Sequence, residues 1–439
     1  MSSEDWRTAS FRDLIANGVL LIGDGYRAKN SELGGEGPIF LRAGHVRNTH
    51  IEFDAADHFV AELTPKLKAK MSRAGDVVVT TKGNSTGRVT FVSGEMPPFI
   101  YSPHLSYWRS LDHHALHPGF LRYWSRSREF RTQLAGFAAQ TDMAPFISLR
   151  DQQRLQITLP PPSVQQSIAV TLGALDDKIE LNRRMNRTLE SIARAIFKSW
   201  FVDFDPVRQK MEGGEVGLPP DLAALFPASF SESRLGPIPT GWDVAAIGDV
   251  VAVIGGSTPS TKEPAYWGGE IAFATPRDMA QLTAPALRAT ERRVTPEGAA
   301  TISSGLLPPG AVLMSSRAPI GYLAITEIPV CVNQGFIAML AESALPALYV
   351  LNWARENMET IVASANGTTF LEISKRSFRP LLIAVPPDEV LNTFVDVATS
   401  LHRRVVSGLD ENDLLCATRD RLLSALLRGH RGTQELPHD

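Results

Sequence analysis

The sequence predicts an α+β protein of two tandem mixed α/β domains, each followed by a long helix. The two helices are expected to pair as an antiparallel coiled coil with pseudo-two-fold internal symmetry. Three observations predict this. The chain has 439 residues, more than one core holds. A proline-stopped, helix-starting phrase occurs twice, "LPPPSVQQSIAVTLGALDDKIELNRRMNRTL" from Leu159 and "VPPDEVLNTFVDVATSLHRRVVSGLDENDLL" from Val385. The stretches ahead of the two copies also share short phrases in the same order.

Sliding the chain until Ile147-Ser148 lies on Ile373-Ser374 also lays Leu159-Pro160-Pro161 on Val385-Pro386-Pro387. The same offset lays Leu175 on Leu401, Asn186 on Asn412 and Leu189 on Leu415. Upstream, "GDVVVTTKGNSTGRVTFV" from Gly75 resembles "GAVLMSSRAPIGYLAIT" from Gly310, and "IFLRAGHV" from Ile39 resembles "AFATPRDM" from Ala272. Weak matches that keep both order and spacing indicate duplication of one unit.

Residues 1–160 form the first domain. Its "DVVVT" and "RVTFV" are short β-type runs bounded by Gly, Pro or Ser, and "GFLRYWSRSREFRTQL" has helical periodicity. Residues 161–205 form the first long helix, opened by a Ser163/Gln166 capping-box pattern and ended before Pro206. Ile168, Leu172, Leu175, Ile179, Asn182, Asn186, Leu189, Ala193, Ile196 and Trp200 step by alternating fours and threes, a heptad seam that is apolar except for two asparagines. Residues 206–240, rich in Pro, Gly and Ser, read as a connector. The second domain, 241–386, carries the β-type runs "AVLMS" and "YLAIT" and the helical "ALYVLNWARENMETIVA". The second long helix, 387–430, has the seam Phe394, Ala398, Leu401, Val405, Gly408, Asn412, Leu415, Arg419, Leu422 and Leu426, with Gly429 as its stop and 431–439 as a tail.

Each helix, about 35 residues or ~50 Å long, exposes an apolar stripe. Packing each stripe on its own domain is one solution. The connectivity favours burying the stripes against each other, because the first helix carries the chain away and the second returns it. Asn186 and Asn412 are then expected to pin the register.

Composition narrows the function. Hydrophobic residues make up 44% and charged residues 21%, as in ordinary globular proteins. No apolar run approaches the roughly 20 residues of a membrane helix, and "MSSEDWRTAS" is polar and acidic, so a secretory signal is not expected. The only cysteines, Cys331 and Cys416, exclude a disulfide framework, and a cytoplasmic location is expected. Net charge is −3, with 19 Lys+Arg against 16 Asp+Glu in residues 1–160 and 10 against 12 in 241–385. Neither domain is the basic body of a solitary DNA binder, so any DNA contact rests on local patches helped by a partner's charge.

Catalytic signatures are missing. "GNSTGR" at Gly83 lacks the lysine of a phosphate loop. There is no GxGxxG after a strand, no Asn-Pro-Pro-aromatic or Asp-Pro-Pro-Tyr motif, and no CxxC. His104, His113, His114 and His117 cluster in "PHLSYWRSLDHHALHPGF". His113 and His117 have metal-ligand spacing, but Pro118-Gly119 and the lack of companion ligands favour a surface turn, so no metal is expected. The carboxylates of "DFDP", Asp203 and Asp205, are expected to serve structure at a helix end. The chain reads as non-catalytic.

The stretch "LPPPSVQQSIAVTLGALDDKIELNRRMNRTLESIARAIFKSWFVDFDPV" resembles the central region of specificity subunits of type I restriction-modification enzymes. So do "IPTGWDVAAIGDVV", "GGSTPSTKEPAYWGGEIAFATPRDM" and "VCVNQGFIAML" in the second domain. "GDGYRAKNSEL" and "IFLRAGHV" in the first domain are similar to the same family. The resemblance spans essentially the whole chain. It implies two target recognition domains on antiparallel helices, each reading one half of a split double-stranded DNA sequence while the helices set the gap. It also implies two modification (methyltransferase) subunits carrying S-adenosylmethionine, and restriction subunits using ATP and Mg for translocation and cleavage. No cofactor is expected in this chain itself, and no membrane contact.

Base edges call for Arg, Lys, Asn or Gln, and phosphates for Lys, Ser, Thr or amides. By motif position, the DNA-binding candidates in the first domain are Lys29, Arg42, His45, Arg47, Lys82, Asn84, Ser85, Thr86 and Arg88. In the second they are Thr258, Ser260, Thr261, Lys262, Arg277, Asp278, Arg317, Asn333, Gln334 and Asn366. The first domain departs from the pattern at "YSPHLSYW", where the second has "CVNQGFIA". Two other readings stay open here. One is a duplicated coiled-coil scaffold without DNA specificity. The other is a fused methyltransferase-endonuclease, which would need the methyltransferase motifs that are missing.

Overall fold

A computed structural model describes residues 6–47, 50–138, 146–341, 345–367 and 371–428. Gly429, expected as a helix stop, and the expected tail 431–439 lie outside the described residues. The chain divides into two compact units, Met1–Ile179 with Asp413–Asp439, and Glu180–Asn412. The division runs through both long helices rather than at their starts, because the helix ends are embedded in the domain cores.

In the first unit the strand Arg7–Ser10 pairs antiparallel with Gln156–Leu159, the strand that runs straight into the long helix. A four-stranded antiparallel sheet follows the order Leu20–Asp24, Leu105–Ser110, Val77–Thr80, Val89–Phe91. Ile39–Leu41 lies parallel to Phe99–Tyr101 beside it. The strand Val77–Thr80 is buried on both faces: Val77 and Val79 enter one core and Val78 another, as the two-residue pleat requires. The larger core is a ring cluster of Phe11, Trp108, Trp124 and Phe130, closed by Ile168 and Leu172 of the first long helix and Leu423 of the second. The other core is pinned by a buried ion pair. Arg109 donates from Nε and a terminal nitrogen to Asp76, each at 2.6 Å, and the Tyr101 hydroxyl donates to the same carboxylate at 2.7 Å. The single helix predicted over 119–134 is two, Pro118–Trp124 and Arg128–Ala138, because Ser127 Oγ accepts from the Phe130 amide and starts a new helix.

The second unit repeats the plan. Asp243–Ala246 pairs antiparallel with Leu382–Val385, again the strand preceding a long helix. Its main sheet has the order Ala252–Ile254, Phe336–Leu340, Val312–Ser316, Ile320–Thr326, Ala286–Leu287. A smaller sheet joins Arg292–Val294, Trp267–Ala274 and Val330–Val332. The helical stretch 347–363 is broken at Asn357 into Ala347–Glu356 and Met358–Ala363. The connector is more ordered than its composition suggests. It holds the helices Asp205–Met211 and Pro220–Ala224 and the hairpin Phe230–Ser233/Gly236–Pro239. Phe204 takes a left-handed conformation (φ 55°), which turns its ring against Phe230 and Trp242, and Val207 and Phe226 join the core. No helix among the described residues is long and apolar enough to cross a membrane.

The long helices run Pro162–Phe201 and Asp388–Arg428 and pair antiparallel. Of the seam positions, Ile168, Leu172, Ile179, Asn186, Phe394, Val405 and Asn412 are buried, and Leu175, Leu189, Ile196, Leu401, Leu415 and Leu422 are half-buried. The two packing solutions weighed from sequence both occur, at different places. Phe197, Trp200, Phe201 and Phe394 sit in the second domain's aromatic core with Tyr349, while the central turns of the helices pack on each other.

The polar centre of the seam differs in detail from expectation. Asn182 Nδ2 donates to Asn412 Oδ1 at 3.0 Å and to Glu411 at 2.8 Å. Asn186 instead donates to the Val405 carbonyl at 3.2 Å and lies over Gly408. The offset that lays Asn186 on Asn412 lays Asn182 on Gly408, so one contact is built twice: once Asn against Asn, once Asn against Gly. In the first unit Asp176 is the polar node. Arg122 pairs with it, Arg126 reaches it at 3.3 Å, and Arg419 donates to it at 2.8 Å. Burial raises the Asp176 carboxyl's pKa, and the three arginines outweigh burial and hold it below the ordinary range.

Candidate nucleic-acid interface

In each unit three chain segments meet at one junction. In the second, the Ser316 amide donates to the Gly335 carbonyl at 2.8 Å, the Ile373 amide donates to the Ser316 carbonyl at 3.0 Å, and Arg317 bridges Glu372. In the first, the Thr81 amide donates to the His104 carbonyl at 2.9 Å, the Ile147 amide to the Thr81 carbonyl at 3.0 Å, and Lys82 bridges Phe146. Both junctions continue into a serine-capped turn, with Ser148 Oγ accepting from the Asp151 amide and Ser374 Oγ from the Ser377 amide. A glycine from an earlier loop completes each. A Cβ on Gly25 would stand 2.0 Å from the Ser102 carbonyl oxygen, and one on Gly256 would stand 1.8 Å from that of Val332. Only glycine permits such an approach.

The second unit brings its candidates together around this junction. Thr258 donates to Gln334 at 2.5 Å, Asn333 accepts from the Gly335 amide at 2.9 Å, and the Gly335 backbone lies against Pro276, next to Arg277. Arg317 pairs with Glu372 at 3.6 Å, and Asn366 bridges the same Glu372 through the backbone. Ser260, Thr261 and Lys262 are exposed on the loop that leaves Thr258, held where Trp267 donates to the Ser260 carbonyl at 3.0 Å. Asp278 is engaged locally, accepting from the Thr275 amide and hydroxyl and the Glu291 amide, which gives it a capping role. Exposed Arg277 faces Glu291 at 3.7 Å.

In the first unit, Lys82 is at the junction, and Asn84, Ser85 and Thr86 follow it in the turn where Thr86 donates to the Gly83 carbonyl at 2.7 Å. Arg88 reaches the Val46 carbonyl at 3.4 Å and so joins a second group. There Arg42 pairs with Asp57 at 2.5 Å, Arg47 with Glu52 at 2.6 Å, and His45 accepts from the Arg42 amide at 3.2 Å. Burial, with Arg42 next, lowers the His45 pKa. Lys29 is exposed at a short turn, where its amide is capped by Glu32. His113 and His114 are exposed, while His117 Nδ1 caps the Gly119 amide at 3.2 Å.

Three further groups of basic residues, not named from the sequence, lie beside these loops. Lys66 donates to Tyr26 and Lys70 pairs with Asp24 at 2.8 Å, so both flank the "GDGYR" loop, and three lysines in "KLKAK" were the available signal. Lys375 stretches over Gly255, its Nζ 3.2 Å from where a Cβ would stand. Arg150 and Arg376 lie in the serine-capped turns. Among the described residues no group of three or more His, Cys, Asp or Glu is placed to hold a metal.

A family profile, "Type I restriction modification DNA specificity domain", matches residues 239–403. The HindI type I restriction enzyme specificity subunit of Haemophilus influenzae is 27% identical over 438 residues, covering 89% of this chain and 94% of that protein. The MjaIX specificity subunit of Methanocaldococcus jannaschii is 34% identical over 188 residues, 42% of this chain and 44% of its own. Among solved structures, a type I restriction-modification S subunit from M. genitalium shares the fold with a TM-score of 0.52, at 15% identity and 96% coverage of both chains.

Proposed function

We propose, from the premise that this chain belongs to the specificity subunits of type I restriction-modification systems, that it reads a split double-stranded DNA target with one domain per half-site. It does so as the recognition subunit of a complex. Two modification subunits dock on it and bring S-adenosylmethionine, and restriction subunits bring ATP and Mg. The chemistry belongs to those partners, and this chain selects where it happens.

The observation that carries the reading is the junction built twice on one backbone plan with different side chains. Lys82 stands where the second unit has Arg317, Pro103-His104 where it has Gln334-Gly335, and Phe146 where it has Glu372. An unchanged frame with changed side chains is what two readers of two different sequences need, since base edges are told apart by the donors and acceptors presented to them. The near-neutral charge of both domains accords with a reader that binds DNA as part of a larger assembly.

The test is a genome-wide map of methylated adenine in cells expressing this chain with its neighbouring modification subunit. Exchanging residues 1–160 should change one half of the methylated sequence, and exchanging 241–385 the other. A motif that ignores both exchanges, or no motif from an assembled complex, overturns the reading.

A further inference from the structure

Resting on that reading, we propose that Arg150 and Arg376 are paired phosphate anchors, one in each domain, that hold DNA without reading its sequence. The repeat offset that lays Ser148 on Ser374 lays Arg150 on Arg376. Both arginines are exposed, and neither makes an ion pair among the described residues. Each sits in the turn that continues the junction, immediately beyond Ile147 or Ile373, whose amides are tied to Thr81 and Ser316.

Side chains next to the arginines tie both turns to the domain cores. In the first unit Gln152 Oε1 accepts from Ser106 Oγ at 2.8 Å and from Trp108 Nε1 at 2.7 Å. In the second, Phe378 is fully buried against Trp353, 5.9 Å between ring centres. Such a support fixes the backbone that carries each arginine, so only the side chain itself remains to be ordered on binding.

The argument turns on what stays the same between the copies. Side chains that read bases must differ where half-sites differ, and Lys82/Arg317 and His104/Gly335 do. A guanidinium kept at one position of both junctions is suited to the component that every half-site shares, the sugar–phosphate backbone. The neighbouring position changes, Leu149 in one copy and Lys375 in the other, so the retained arginine is not a by-product of a uniformly copied turn.

The experiment measures DNA affinity of the assembled complex against salt, using duplex that carries the methylated motif and duplex that lacks it. Arg150→Ala and Arg376→Ala should each weaken binding by about three- to ten-fold on both duplexes. Each should also flatten the slope of log affinity against log salt by about 0.9, and together by about twice that, with the methylated motif unchanged. Arg→Lys at either position should restore the slope. An unchanged slope in an assembled complex with an unchanged thermal midpoint overturns the anchors alone, as does a motif altered at one half-site, which would make the residue a base reader. A wild-type complex that binds no DNA overturns the anchors and the recognition function together.

Discussion

Gly408→Ala should reverse its sign according to what stands at position 186. In a helix interior the exchange ordinarily stabilises by about 1 kcal/mol. Here the added methyl would land 2.7 Å from Asn186 Oδ1 and 3.3 Å from its Nδ2, so the amide must swing out of the seam. That gives up the donation to the Val405 carbonyl at 3.2 Å, about 1 kcal/mol, and crowds a packed contact at about 1–3 kcal/mol. The expected net effect is destabilisation of about 1–3 kcal/mol. With Asn186→Ala beneath it the obstruction is gone, and Gly408→Ala should stabilise by about 1 kcal/mol. An unfolding midpoint would mix two units, so the assay is native-state hydrogen exchange at the amides of 182–189 and 405–412. Additivity of the two changes within about 0.5 kcal/mol would refute the contact, and so would a stabilising Gly408→Ala in the unaltered chain.

Further outcomes are expected at four places in the chain. Asp176→Ala strands Arg122 and Arg126, while Arg419 keeps Asp420 at 2.8 Å, and should cost about 3–5 kcal/mol in the first unit, read by the same exchange method at the amides of 172–176. Because the folded Asp176 pKa is depressed, its contribution is present above the ordinary aspartate range and lost as pH falls through the folded value. The first unit's opening free energy, read by exchange at the same amides, should therefore drop more steeply below about pH 4 in the natural chain than in Asp176→Asn. Asp76→Ala leaves Arg109 buried without its counter-ion and should cost about 3–5 kcal/mol, disabling recognition of one half-site in the methylation map while sparing the other. Leu175→Asp with Ile179→Asp places charge in the seam and should abolish assembly with modification subunits; co-purification of an intact complex would count against the pairing. Inserting one heptad into both long helices beside the Asn182–Asn412 contact should change the gap between half-sites in the methylation map and leave the half-sites as they were.

The long helices were legible because their signals are local and repeated: a proline stop and a seam stepping by fours and threes over about ten turns. The Ser163/Gln166 cap was misplaced, because the first helix opens at Pro162 and the Val164 and Gln165 amides donate to the Pro161 carbonyl. The breaks at Ser127 and Asn357 were hidden within continuous helical periodicity, since one side-chain cap or one non-helical residue suffices to end a helix without disturbing the apolar pattern. The order of the connector was missed because it depends on distant partners. Phe204 takes a left-handed conformation in which Phe230 and Trp242 receive its ring. The strand pairings Arg7–Ser10 with Gln156–Leu159 and Asp243–Ala246 with Leu382–Val385 are equally non-local. At the candidate site, motif position named Thr258, Gln334, Arg317 and Lys82, which the fold brings to the two junctions. It also named Asp278, whose acceptor capacity serves a local cap. It overlooked Arg150 and Arg376, which carry no motif and stand out only when the two copies are laid over one another.

Those two non-local pairings also bear on inheritance. Arg7 lies opposite Leu159 and Asp243 opposite Val385, so each domain enters and leaves through neighbouring strands of one short ribbon. A genetic crossover at the two ends of such a ribbon would replace everything between them in one piece. It would cut no sheet of the incoming domain and leave both long helices untouched. A lineage could thus acquire a new half-site in a single recombination, at a seam the chain already keeps closed.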